Sequence, residues 1–289
     1  MLSLTGRYFP ITGDPGRMDD TYWELPPCEA LRPYVRCFWG TPRPVTPKPD
    51  SIRPDQPGLV IPDTCMDIIF DINYTRNRCG SAFCTLDEQS YRTDGGGLIT
   101  DTTATFAIRF YGWTASLFAD WDFTGSKNAH FDPREMFAPL VRALEPYLFD
   151  EPTLEGKARI AEAFLLHRLD DLRPENDLLN AVHYLLATSG REPVSELCGY
   201  AGVSPRKLER LFQRHMGLSP KSFASLARYQ MLWQELAGRP QLSLLDAVAK
   251  YGYTDQAHLL HDFKRRHLMT PSEALRYAGI LIQNAPLTR

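Results

Sequence analysis

The sequence predicts a two-domain α+β protein. A β-rich, barrel-like N-terminal domain with flanking helices precedes an all-α domain that holds two helix-turn-helix units. Three observations predict this. Short β-branched and apolar runs cluster between residues 58 and 124 without a long helix between them. Beyond residue 174 the apolar positions recur at helical spacing. Within that second region one pattern occurs twice: Leu208 and Leu259, Phe212 and Phe263, and Pro220 and Pro271 are each 51 residues apart.

Bulk properties fit this division. The chain has 289 residues, which as a prior means two domains, and 43% of them are hydrophobic, enough for proper cores. No run approaches the roughly 18 apolar residues of a membrane span, and no basic-then-apolar leader opens the chain. A cytoplasmic protein without membrane contact is expected. The net charge is −3 but is unevenly spread. Residues 174–289 hold 14 basic against 10 acidic side chains, and the preceding residues hold 18 against 25. A basic reader joined to an acidic partner domain would produce that asymmetry. The six cysteines, Cys28, Cys37, Cys65, Cys79, Cys84 and Cys198, show no metal-type or redox-type spacing, so reduced thiols are expected, with a thiol sensor as the minor alternative.

Taken in order, residues 1–20 read as an irregular lead-in, and Trp23 to Trp39 as a short helical or strand-like apolar segment. Pro42, Pro44, Pro47, Pro49, Pro54 and Pro57 argue against regular structure across 42–57. Strands are expected at 58–62, 66–72, 98–100 and 105–111, with a turn at Gly95-Gly96-Gly97. Residues 134–149 read as helical. Leu154, Ala158, Ala161, Leu165, Leu169 and Leu172 then form an amphipathic stripe that either packs on its own domain or forms a dimer. Pro174 marks a linker. The divisions are 1–150, 151–173 for the stripe, 174–282 for the all-α domain, and a tail at 283–289.

The all-α region is punctuated by specific signals. Residues 177–188 form a helix that stops at Ser189-Gly190. A short helix over 194–201 ends at Gly202. Ser204 then caps a third helix, with Pro205 at its first position. Leu208, Leu211 and Phe212 face inward, and Arg206, Lys207, Glu209, Arg210 and Arg214 face outward. Ser219-Pro220 opens a long helix to about Gly238. Ser243 caps a helix ending at Gly252, Thr254 caps the next, over 255–267, and Thr270-Pro271 caps the last. Long polar side chains on the exposed face of a capped helix, behind a short helix and a glycine turn, are what reading a DNA major groove requires. His258 and His261 share a helix face, but no third ligand lies near in sequence, so no metal or other cofactor is expected.

These residues resemble the DNA-binding domain of AraC/XylS-type transcription regulators. The shared features are Gly202-Val-Ser204, Leu208-x-x-Leu-Phe212, Gly217-Leu-Ser-Pro220, Arg228, Ala249-x-Tyr-Gly-Tyr253, His258-Leu259, Phe263-Lys264 and Thr270-Pro271. The resemblance implies seven helices and two helix-turn-helix units joined by a linker helix. By position it assigns base reading to Arg206, Glu209, Arg210, Gln256, Ala257 and His261, and backbone contact to Ser204, Lys207, Arg214, Lys264, Arg265 and Arg266. Leu268 stands where the family commonly has glycine.

The N-terminal part is similar to the small sensing domain of some members at 59–63, 67–70 and 106–110. A barrel of that type implies a small-molecule effector, with Trp39, Phe70, Phe110, Trp113 and Trp121 as candidate pocket residues. The expected protein is a sequence-specific regulator that binds double-stranded promoter DNA as a homodimer, touching RNA polymerase if it activates. The alternatives are a reader fused to a protein-interaction or thiol-sensing domain, and a reader fused to a DNA-repair alkyl acceptor. The Pro-Cys-His-Arg stretch of such acceptors is absent, so the chain reads as a non-enzyme.

Overall fold

The computed structural model describes residues 8–13, 22–47, 52–53, 58–93, 97–98 and 100–280. Ten strands are placed among them: β1 Trp23–Leu25, β2 Val35–Gly40, β3 Ile52–Arg53, β4 Leu59–Val60, β5 Cys65–Asn73, β6 Arg78–Cys84, β7 Tyr91–Arg92, β8 Gly97–Leu98, β9 Thr103–Tyr111 and β10 His130–Phe131. Six form one antiparallel sheet in the order β1-β2-β9-β5-β6-β10, while β3 pairs with β8 and β4 with β7. Strands β1 and β10 remain as edges, so the sheet is open rather than the closed barrel the sequence suggested. A two-residue strand also forms inside the proline-rich stretch, at Ile52–Arg53 between Pro49 and Pro54, where neither residue is proline. Gly95 and Gly96 of the predicted turn, much of the lead-in and the tail lie outside the described residues.

Cross-strand partners share a face, and the register divides this sheet sharply. One face carries Phe38, Ile68, Phe70, Phe83, Phe106, Ile108 and Phe110, all fully buried. Helices α1 (Pro133–Met136) and α2 (Ala138–Leu148) close over it, with Phe137 packing edge-on against Phe83 at 4.8 Å. The other face is polar. Along one rung, His130 is opposite Cys84, Cys84 opposite Asp67, Asp67 opposite Arg109, and Arg109 opposite Cys37. Arg109 is buried and gives Nε to Asp67 Oδ1 at 2.9 Å and Nη2 to Asp67 Oδ2 at 3.0 Å.

Helix α3 (Leu154–Arg168) carries the predicted stripe. Leu154, Ala158, Ala161 and Leu165 are buried inside this chain, against α2, β2 and β9. This corrects the dimer-helix reading, because that apolar face already has a partner.

Seven helices follow among the described residues: α4 Asn176–Ala187, α5 Val194–Ala201, α6 Pro205–Met216, α7 Pro220–Gly238, α8 Leu244–Tyr251, α9 Gln256–His267 and α10 Pro271–Tyr277. Gly202 and Gly252 each end a short helix at φ +67°, a conformation in which a Cβ would crowd the following carbonyl. Ser204, Ser219, Ser243 and Thr270 cap as expected, each accepting a backbone N–H. One cap differs: Asp255 rather than Thr254 caps α9, accepting from His258 N at 2.7 Å. A carboxylate there also complements the helix dipole. At the far end of α9, Leu268 takes φ +60°, where the first unit has Gly217 at φ +68°. The turn is preserved, and a leucine held there costs about 1–2 kcal/mol.

Inside the second unit, His267 is fully buried beside Trp233 and Phe263, and its Nδ1 shares a 2.7 Å hydrogen bond with the Tyr229 hydroxyl. Burial lowers its pKa to about 4. Folding therefore favours the neutral ring, and that stability is present above the free-histidine pKa of about 6.5 and is lost as pH falls toward 4. From pH 7 to pH 5 the loss is about 2 kcal/mol. Asp63 and Asp87, raised by burial to about 7 and about 6, titrate in the opposite sense. Urea unfolding at both pH values should therefore show a smaller acid-side loss in His267→Gln than in the unaltered chain. Equal losses would exclude His267 as the titrating group.

Candidate nucleic-acid interface

The two helix-turn-helix units are α5–α6 and α8–α9, and α7 spans the gap between them. At 1.5 Å per residue, its 19 residues measure about 28 Å. That is comparable to the roughly 34 Å turn of DNA that separates successive major-groove openings on one face.

Each reader helix is anchored by its inner face. In α6, Leu208, Leu211, Phe212 and Met216 are buried, and in α9, Leu259 and Phe263 are buried. All six predicted base-facing residues, Arg206, Glu209, Arg210, Gln256, Ala257 and His261, are exposed. The expected backbone contacts behave less uniformly. Ser204, Arg214 and Lys264 are exposed. Lys207 pairs with Asp177 of α4 at 2.5 Å, and Arg265 with Asp262 at 2.7 Å. These pairs leave both cations at the surface, within reach of a phosphate.

Arg266 is a correction. It is 1% exposed, and its guanidinium donates to Glu88 O at 3.1 Å and Ser225 Oγ at 2.9 Å. Burial pulls its pKa down, although Asp262 pushes back. It lies three residues after Phe263 and seven after Leu259, hence on the inner face. No phosphate reaches it in this arrangement.

Arg266 belongs to a set of contacts that sequence reading missed. The Ser90 backbone N–H and hydroxyl both donate to Arg266 O, at 2.8 and 2.6 Å. Gln230 of α7 is fully buried; it accepts from Ile11 N at 2.9 Å and donates to Ile11 O at 3.0 Å and Pro62 O at 2.7 Å. Ser116 shares a 2.6 Å hydrogen bond with His215 at the end of α6, and Phe123 N donates to Arg214 O at 2.8 Å. The sheet domain thus holds α6, α7 and α9 from behind and leaves their outward faces open. The available signals were polar residues at inward positions: Gln230 in α7 and Arg266 in α9.

The five candidate effector residues do not converge. Phe70 and Phe110 are fully buried on the apolar sheet face. Trp39 lies on the polar face, donating Nε1 to Asp67 Oδ1 at 2.9 Å. Trp113 packs edge-on against Phe223 of α7, and Trp121 is 71% exposed. Nor do four of the six thiols favour sensing. Burial pushes Cys37 and Cys84 up to about 12 and Cys79 to about 11, and raises Cys65 strongly, which leaves little reactive thiolate at neutral pH.

Comparison with known proteins matches residues 197–277 to a helix-turn-helix domain and residues 23–132 to a domain of unknown function. An uncharacterized HTH-type transcriptional regulator of Haemophilus influenzae is 31% identical over 80 residues, 28% of this chain. The chain spans about a quarter (26%) of that relative's length. A probable AraC family transcriptional regulator from Rhodopseudomonas palustris is 27% identical over 36% of this chain and 98% of its own, with a TM-score of 0.32. ToxT from Vibrio cholerae with an unsaturated fatty acid bound is 11% identical over 86% of this chain and 97% of its own, with a TM-score of 0.38. Among the described residues no helix is long and apolar enough to cross a membrane. The region that carries both reader helices is thus an AraC-type helix-turn-helix domain.

Proposed function

We propose that this chain is a sequence-specific transcription regulator whose two reader helices enter neighbouring major-groove segments of a promoter, under the control of a small molecule sensed by the sheet domain. The observation that supports it best is the sidedness of the helical domain. Its base-facing residues are open to solvent on both units, while the sheet domain bonds to the inward residues Gln230 and Arg266. The readers are not equivalent. Arg206 and Arg210 on α6 can each grip guanine O6 and N7, whereas Ala257 on α9 offers only contact with a thymine methyl. The first unit therefore specifies more of the sequence, and the second, with Lys264 and Arg265, anchors more of the backbone.

Selection from genomic fragments followed by fluorescence polarisation tests this reading. One or more fragments should bind well above bulk DNA at physiological salt. Arg210→Ala should weaken the selected fragment by about 1–3 kcal/mol and relax preference at one base pair. If no fragment exceeds bulk DNA, the reading fails; an unchanged preference in the mutant removes Arg210 as a base reader.

A further inference from the structure

A groove of about 600 Å³ opens on the sheet domain, lined by Asp87, Gln89, Tyr91, Asn128 and His130. Every one of these side chains can form hydrogen bonds. Asp87 is half-buried, and among the described residues no Lys or Arg pairs with it. Burial raises its carboxyl to about 6, with His130 pulling the other way, so at neutral pH it is largely a carboxylate that has lost water without gaining a counter-ion. The Tyr91 and His130 rings meet edge-on beside it, with centroids 5.9 Å apart. A carboxylate next to an aromatic face suits an ammonium group, which can pair with the one and lie against the other. An anion would meet the Asp87 carboxylate, with that of Asp67 near it.

The segment that lines this groove also grips the second reader helix. Residues 87, 89 and 91 face the groove, while the alternate residues, Glu88 and Ser90, hold Arg266 by one and two hydrogen bonds. The Asn128 Oδ1 that accepts from Glu88 N at 2.7 Å fixes the same segment from the groove side. A molecule that shifts the backbone at Asp87 or Tyr91 would shift Glu88 O and Ser90 N with it, and so the bonds to Arg266.

We infer that this groove binds a small organic ammonium compound and that its occupancy reaches α9 through residues 87–91. This rests on the sensing role proposed above and gives it a place and a ligand class.

The test uses the full chain and three probes of one shape: 4-amino-1-butanol, 1,4-butanediol and 4-hydroxybutyrate. Titration calorimetry should show saturable binding of the amine alone. Binding should weaken at least tenfold in Asp87→Asn and several-fold in Tyr91→Leu, with circular dichroism unchanged in both. The amine should also change affinity for the selected DNA fragment at least threefold in the unaltered chain and not in Asp87→Asn. No saturable amine binding, or equal binding of the diol or by Asp87→Asn, overturns the groove. Binding without an effect on DNA overturns the transmission. A thermal-shift screen of mixed metabolites separates this from the broader reading: a ligand that stabilises Asp87→Asn and the unaltered chain equally leaves sensing intact elsewhere and rejects the groove.

Discussion

Arg109→Met should destabilise the sheet domain by about 3–5 kcal/mol, the usual cost of removing one partner from a buried ion pair. Arg109 is 3% exposed and sits at the centre of the polar face, with both carboxylate oxygens of Asp67 on its guanidinium. It also donates to the Thr12 hydroxyl and reaches the Tyr22 hydroxyl at 3.2 Å and Glu24 at 3.4 Å. Burial alone would pull its pKa down, yet Asp67, with Tyr22 and Cys37, holds it well above the usual value. Without it, Asp67 keeps only the Trp39 indole as a donor from this cluster, and Glu24 keeps Arg36 at 3.5 Å. The stranded charge, more than the missing contact, sets the size of the effect. The double variant Arg109→Met with Asp67→Leu should therefore recover most of the loss, since a buried pair replaced by apolar groups is often neutral. Urea unfolding followed through tryptophan fluorescence measures both. A single-variant loss below about 1 kcal/mol would mean that water reaches Asp67 freely.

The helical domain was legible because its signals are local. A cap, a proline at the first helical position and a glycine at the turn act within a few residues of one another; Ser219-Pro220 recurs 51 residues on as Thr270-Pro271, and Gly202 recurs 50 on as Gly252. Among the caps the one slip was by one residue: Thr254 and Asp255 can both cap, and the stronger acceptor took the position. The sheet domain was legible as strands but not as topology. Whether β1 and β10 meet to close a barrel depends on long-range pairing that alternation of apolar residues does not encode. The effector residues were chosen for aromatic character, which mostly marks core, and Phe70 and Phe110 are core. The domain contacts were least visible. Gln230 meets Ile11 across 219 positions and Arg266 meets Glu88 across 178, and no local pattern joins such partners. Even so, helical periodicity applied strictly would have turned Arg266 inward, because it shares a face with Leu259 and Phe263. Its charge argued for the surface, and Glu88 O, Ser225 Oγ and Asp262 reversed that argument.

Arg266→Met should cost about 3 kcal/mol, since methionine fills much of the volume but leaves Glu88 O and Ser225 Oγ without their charged donor. Asp262 is not stranded, because Arg265 and the Tyr253 hydroxyl remain on it at 2.7 and 3.1 Å. The loss should fall on the join between the domains rather than on either fold. Urea unfolding should broaden or split as α9 loosens from residues 88–90. Salt dependence of DNA binding then separates this buried role from the phosphate contact the sequence suggested. Each phosphate neutralised by a cation contributes about 0.9 to the slope of log affinity against log salt. Lys264→Ala, which removes an exposed cation, should reduce that slope by about 1. Arg266→Met should leave the slope unchanged while lowering affinity at every salt concentration, because a reader helix freed from its clamp enters the groove less well oriented but touches the same phosphates. A slope reduced as much as in Lys264→Ala would mean that Arg266 leaves Glu88 and Ser225 for the DNA backbone on binding, and the clamp would then belong to the free protein alone.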